Sequence, residues 1–154
     1  MAPTLVAPRS RGRIRLRSAD PSAAPSIVGN HLTEQADIDA MVAGIERVRD
    51  IVAQPELRSI TVSEIHPGYD VRSRAEVLAA LRQETELLYH PTSTARMGAP
   101  GDAVVDSRLR VYGVVGLRVV DASVFPTVTR GNTNAPTYMV AEKAADMIRE
   151  DARQ

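Results

Sequence analysis

Between residues 10 and 18 the chain alternates without a break. Arg11, Arg13, Arg15 and Arg17 fall on one side, and Gly12, Ile14 and Leu16 on the other. A period of two predicts a strand with one buried and one wet face. A Pro/Ser turn at 19–26 follows, then a brief extended return through "IVGNHL". The period then changes. Ile38, Met41, Val42, Ile45, Val48 and Val52 recur at threes and fours, the single apolar stripe of a long amphipathic helix. Thr33 is its expected N-cap, Gly44 a weak point within it, and Pro55 its end. "HPGYD" at 66–70 is a loop in which His66 is expected to be exposed.

A second helix is announced by Ser73 and Glu76, spaced as a capping box. Val77, Leu78, Leu81 and Leu88 form its expected buried side, so it should deliver His90 just past its last turn. Pro91 disfavours helical geometry at His90, which turns the imidazole off the helix axis. From residue 99 the texture is short extended pieces, "VVD" and "LRVVD", separated by glycine turns. The last helix is expected to start at Asn134 as N-cap, with Pro136 in its first turn, where a missing N–H costs nothing. Tyr138, Ala141, Ala144, Ala145 and Ile148 would be its packing stripe.

Composition removes several functions. Formal net charge is zero, so bulk electrostatics select neither nucleic acid nor an anionic membrane, and the four arginines of the first strand read as a solvated face. With one Phe and no Trp, base stacking would have little to build on. The absence of Cys rules out disulfides, thiolate metal sites and cysteine nucleophiles, and suits a cytoplasmic location. His31, His66 and His90 have no HxxxH spacing, so no metal site is expected. No apolar run approaches the ~18 residues of a membrane span, and the first residues lack the apolar core of a signal peptide.

Three features carry candidate chemistry. His90 follows a helix; "RVVDASVFP" at 118–126 reads as a strand ending in an acidic residue and two small ones; "RGNTNAPT" at 130–137 sets two asparagines at a helix start. Outward-pointing N–H groups there can hold an anion or an electron-rich ring edge. By themselves these residues leave a core histidine and a proton-handling histidine both open.

The wording resembles a family. "YHPTSTARMG", "VVDSRLRVYGVVGLRVVDASVFP" and "GNTNAPTYMVAEKAADMI", in this order, are similar to the C-terminal segment of the glucose–methanol–choline (GMC) flavoprotein oxidoreductases, of the choline and alcohol dehydrogenase type. "SRGRIRLRSADP" and the helix after "GNHL" resemble the part that builds that family's substrate domain. The resemblance implies a partial α+β and α/β fold. Residues 1–88 would belong to the substrate domain, as antiparallel strands plus helices, and 89–154 would be the last strands and helix of the FAD-binding domain.

It also implies a site. His90 matches the active-site histidine facing the flavin near N5, and Asn132 the second active-site group. Asp121 and Ala122 match the strand end that approaches the ribityl and pyrophosphate portion of FAD. Thr133 and Asn134 match positions against the pyrimidine edge of the isoalloxazine. The implied reaction is oxidation of a small-molecule alcohol, with hydride passing to the flavin. A neutral imidazole, ordinarily of pKa about 6.5, can take the hydroxyl proton. Asn132 would bond the same oxygen.

Two departures stand out. The GxGxxG dinucleotide fingerprint is absent, since the glycines offer only the pairs Gly98/Gly101 and Gly113/Gly116. The chain therefore corresponds to approximately the C-terminal third of such an enzyme, either non-catalytic alone or a partner to a separate FAD-binding portion. Ser93 and Ala95 stand where many relatives read Gly and Cys.

Overall fold

The computed structural model describes residues 1–153 and falls into two compact units, Met1–Leu87 and a second from Leu88 onward. In the first, β1 (Arg13–Arg15) pairs antiparallel with β2 (Ser26–Val28), with Ile14 opposite Ile27. The helices are α1 (Gln35–Val52), the single turn α2 (Pro55–Arg58) and α3 (Arg74–Glu84). Helix α1 packs on α3 through Ile38, Met41, Val42, Ile45, Val77 and Leu81, with Leu5, Leu32, Val71 and Leu78 at the margin. The stripe expected from the period of α1 is thus its core face, with Val48 and Val52 half-buried at its end.

The start of α1 differs from expectation. Its N-cap is Glu34, without a side-chain cap, and Thr33 Oγ1 donates instead to the Asn30 carbonyl. The free N–H groups are served from a distance: Ser10 Oγ accepts from Thr33 N and Glu34 N. Ser10 Oγ in turn donates to Asp37 Oδ2 at 2.6 Å. The buried Asp37 carboxylate also accepts from Arg9 N at 2.8 Å and Ser10 N at 2.7 Å, tying the N-terminal segment across the helix. Burial pushes this carboxyl up, but the bonds from Ser10 and Arg9, with the charge of Arg11, bring it net below the ordinary carboxylate value.

Gly44 has a packing reason. A Cβ there would lie 2.7 Å from Pro3 Cβ, so the glycine lets the N-terminal segment lie against the helix. Helix α1 stops at Val52, three residues before Pro55, which opens α2. Arg49 pins the following loop: Nε and Nη2 fork onto Glu64, and Nη2 also donates to the carbonyls of Gly68 and Val71. His66 is exposed, 3.3 Å from Glu84.

Two further expectations fail in this unit. The alternating strand of 10–18 shrinks to three residues, and its apolar side is open, with Ile14 51%, Leu16 85% and Ile27 70% exposed. A two-stranded ribbon gains its buried face only when another layer covers it, and nothing within this unit does. The capping box forms as expected, Glu76 N donating to Ser73 Oγ and Ser73 N to Glu76 Oε2. Yet α3 ends at Glu84, leaving Leu88 outside the helix and exposed. His90 is therefore not delivered by α3.

The second unit gathers Val105, Leu109, Val124, Phe125, Val140 and Ala144 into its core. The expected strands are reduced to isolated bridges, Met97 with Val105, Val105 with Val111, and Arg110 with Arg118. Gly113 and Gly116, both at φ +78°, make the turn between the last two segments. One 3₁₀ turn, Ala122–Val124, and helix α4 (Asn134–Asp151) complete it. Arg108 and Arg118 both bind Asp151 and fasten the end of α4 to the 106–118 segment.

The α4 stripe is also corrected. Val140 and Ala144 face the core, whereas Ala141 is exposed and Tyr138 and Ile148 are 68% and 45% exposed. Alternative 3.6-period stripes coexist on a helix this rich in alanine, and packing selects one of them. Among the described residues, no helix is long and apolar enough to cross a membrane.

Candidate functional site

The site is assembled within the second unit, where the chain on either side of His90 takes unusual turns. Tyr89 has φ +59° and Ser93 φ +71°, left-handed values that L-residues adopt at a cost. Between them Pro91 restricts His90 to extended geometry. After Ser93 the chain runs beside the 3₁₀ turn: Ser93 N donates to Ala122 O at 3.4 Å, Ala95 N to Ser123 O at 3.0 Å and Met97 N to Val124 O at 2.8 Å. Val124 and Phe125 are buried, so the segment carrying His90 is referenced to the core through this ladder.

The half-buried imidazole bridges to the start of α4. His90 Nδ1 lies 3.0 Å from Thr133 Oγ1, and Nε2 lies 3.2 Å from Asn132 Oδ1. An amide oxygen only accepts, so with Asn132 in this orientation a neutral ring satisfies both contacts with its hydrogen on Nε2 and its Nδ1 lone pair toward the threonine hydroxyl. Asn132 is exposed, while Thr133 is buried. In this arrangement Asn132 bonds the imidazole itself, where the sequence suggested that both would address one external oxygen.

The remaining expected residues surround this pair. Asp121 is exposed and ends no strand. It caps the 3₁₀ turn, Oδ1 accepting from Ser123 N at 2.7 Å, because three isolated bridges do not extend to a ladder there. Ala122 is joined to the His90 segment by its carbonyl bond to Ser93 N. Thr133, not Asn134, holds the N-cap position, and Asn134 is the first helical residue, exposed. Thr133 makes no side-chain cap. The N–H groups of Asn134 and Ala135, which have no intrahelical acceptor, therefore take none from this side chain, and Pro136 has no N–H to satisfy.

What the sequence missed is the Thr133–His90 bond. It joins positions 43 apart, and no spacing rule reaches that far. Nearby, the buried Thr129 Oγ1 has no hydrogen-bond partner among the described residues. Among those residues, no cluster of His, Asp or Glu is placed to hold a metal ion.

The sequence profile described as GMC oxidoreductase matches residues 8–141. The chain belongs to the GMC oxidoreductase family. Oxygen-dependent choline dehydrogenases from Chromohalobacter salexigens and Burkholderia multivorans are 49% and 47% identical to it, in each case over 91% of this chain and 25% of the relative's own length. Among solved GMC-like structures, an FAD-dependent oxidoreductase from Chaetomium thermophilum superposes with a TM-score of 0.87 at 34% identity. That match covers 96% of this chain and 26% of the other. A formate oxidase from Aspergillus oryzae gives a TM-score of 0.88 at 36% identity, over 97% and 26%. The chain thus spans about a quarter of its GMC relatives, rather than the third expected from motif order. Its elements are a partial GMC fold.

Proposed function

We propose that this chain is the C-terminal part of an FAD-dependent oxidoreductase that acts on the CH–OH group of a small-molecule alcohol, with His90 accepting the hydroxyl proton. The observation that carries this reading is the imidazole held between Asn132 and Thr133 at the uncapped start of an 18-residue helix, in segments that match GMC relatives. Residues 1–88 belong in this reading to the substrate domain and 89–154 to the FAD domain.

The residues present fit one edge of a flavin. Unsatisfied first-turn N–H groups and the positive end of the α4 dipole suit an electron-rich ring edge. Asn134, exposed at that turn, adds an amide. In this assignment Asp121 and Ala122 lie toward the ribityl and pyrophosphate portion, and Asn132, Thr133 and Asn134 toward the ring. FAD bound there would supply the acceptor for the alcohol's hydride.

The protein groups do the rest. An alcohol hydroxyl that enters between His90 Nε2 and the exposed Asn132 amide gives its proton to Nε2 when the neutral ring carries its hydrogen on Nδ1, donated to Thr133 Oγ1. The proton then resides on the imidazole. Both its neighbours, an amide oxygen and a hydroxyl oxygen, can accept from the imidazolium. Positioning of the alcohol by the same two groups supplies part of the rate.

A second reading also has support: a non-catalytic fragment, or a split subunit that needs an N-terminal FAD-binding partner. The 154 residues contain no GxGxxG. Apolar side chains lie open on both units, Leu16 and Ile27 on the ribbon and Val115, Tyr138 and Met139 on the second unit. Such surfaces call for a cover.

The test is co-expression with the N-terminal three-quarters of a GMC choline dehydrogenase, choline being the first alcohol tried. The assembled protein should take up FAD, and alcohol should bleach its flavin absorbance. His90→Ala should slow that bleaching by about 10²–10⁴-fold with FAD still bound. Unchanged reduction in His90→Ala refutes the assigned role; FAD uptake without reduction by any alcohol favours the non-catalytic reading.

A further inference from the structure

Thr133 stands at the N-cap of α4, where a threonine hydroxyl can accept from the first N–H groups of its own helix. It does not do so. Its Oγ1 lies instead 3.0 Å from His90 Nδ1. The residue is buried, so the hydroxyl is shielded from water. Its backbone is pinned as well, the Thr133 carbonyl accepting both Thr137 N at 3.0 Å and Thr137 Oγ1 at 2.7 Å. A β-branched side chain on a fixed backbone has few rotamers to choose from. Pro136, third in the helix, has no N–H to offer and the backbone of Thr133 is αR rather than extended, so the hydroxyl is left free to bond the imidazole.

We propose that Thr133 is a positioning residue for His90, whose hydroxyl holds Nδ1 in every state of the ring: it donates to Nδ1 while Asn132 Oδ1 accepts from Nε2–H, and it turns its own hydrogen to accept from Nδ1–H when Nε2 must take a proton. Among neutral side chains of this size, only a hydroxyl can both donate and accept by rotating one bond. With Asn132 Oδ1 on Nε2, the ring is held at both nitrogens in either state. The proposal rests on the reading of His90 as a proton acceptor for its purpose, but not for its geometry. It gives the Thr133 side chain a task distinct from the flavin edge, toward which only its backbone remains available.

The experiment is nitrogen-15 NMR of the imidazoles in the full chain, at about pH 9, well above the ordinary imidazole pKa. Long-range proton correlations there distinguish a protonated from an unprotonated ring nitrogen. His90→Ala assigns the signals, and the exposed His31 and His66 serve as internal references. In wild type, His90 should carry hydrogen on Nε2, with an unprotonated Nδ1 displaced by its hydrogen bond. Thr133→Val should remove that displacement while Asn132 Oδ1 keeps the hydrogen on Nε2. Thr133→Ser should restore the wild-type signals.

The proposal is overturned by hydrogen on Nδ1 in wild type, or by an Nδ1 signal that Thr133→Val leaves in place. If valine disturbs the fold, Thr133→Ser decides alone: in a chain with unchanged circular dichroism, serine must reproduce the wild-type Nδ1 signal or the proposal fails. No FAD or alcohol enters these measurements. A failed flavin-uptake assay would therefore leave this result standing, and the reverse holds too.

Discussion

Asp37→Asn tests how the first unit is held together. The carboxylate takes three donors, Arg9 N at 2.8 Å, Ser10 N at 2.7 Å and Ser10 Oγ at 2.6 Å. The last of these passes the anchor on to the start of α1, because Ser10 Oγ accepts from Thr33 N and Glu34 N. Asparagine offers one accepting oxygen and turns an NH₂ group toward the other donors. At least one charge-assisted bond is lost in a buried site, at a cost of about 2–3 kcal/mol. For a unit of this size the melting temperature should fall by roughly 10 °C or more.

Thermal and urea unfolding of the full chain by circular dichroism reads the effect. A pH series supplies an independent check. The native carboxyl titrates below its unfolded value, so its contribution is fully present above the ordinary aspartate pKa of about 4. It is lost as pH falls through the lower native value. The gap between wild type and Asp37→Asn should therefore be constant near neutrality and close in acid. A difference under ~0.5 kcal/mol at pH 7, within the range of an ordinary surface change, would refute the reasoning, as would a gap that widens in acid.

Two other substitutions probe the backbone. Ser93 sits at φ +71°, so Ser93→Gly should raise stability by up to about 1 kcal/mol, while Ser93→Val should lower it by at least that much; urea midpoints of the pair check the order. Gly44→Ala should show little of the ~1 kcal/mol helix-propensity gain, because the new Cβ meets Pro3 Cβ at 2.7 Å. The gain should return in a Pro3→Gly background, and a double-mutant cycle with no coupling would show that Pro3 does not rest on the helix.

Local patterns were legible where one element sufficed to satisfy them. The stripe of α1 and the Ser73–Glu76 capping box depend on neighbours three or four residues away, and both formed as expected. Motif order in "YHPTSTARMG" and "GNTNAPT" pointed to the GMC family, which the profile match bears out. Elements that need a second surface were not legible. The 10–18 alternation promised a buried face, yet Ile14 and Leu16 remain open. On α4, several stripes were compatible with the sequence, and Val140 with Ala144 won only because Val105 and Val124 lie opposite.

The site divides along the same line. Residue types determined the chemistry on offer: one imidazole with a proline behind it, two asparagines at a helix start, no thiol and no phosphate-binding loop. Tertiary structure decided which atoms meet. It detached His90 from α3, placed it beside residues more than 40 positions away, and turned the Thr133 hydroxyl from its helix to the Nδ1 nitrogen. The physical reason is range. Helix periods and caps are interactions over three or four residues and are written in the local sequence, whereas the partner of an imidazole nitrogen is chosen by the packing of segments whose separation no local pattern encodes.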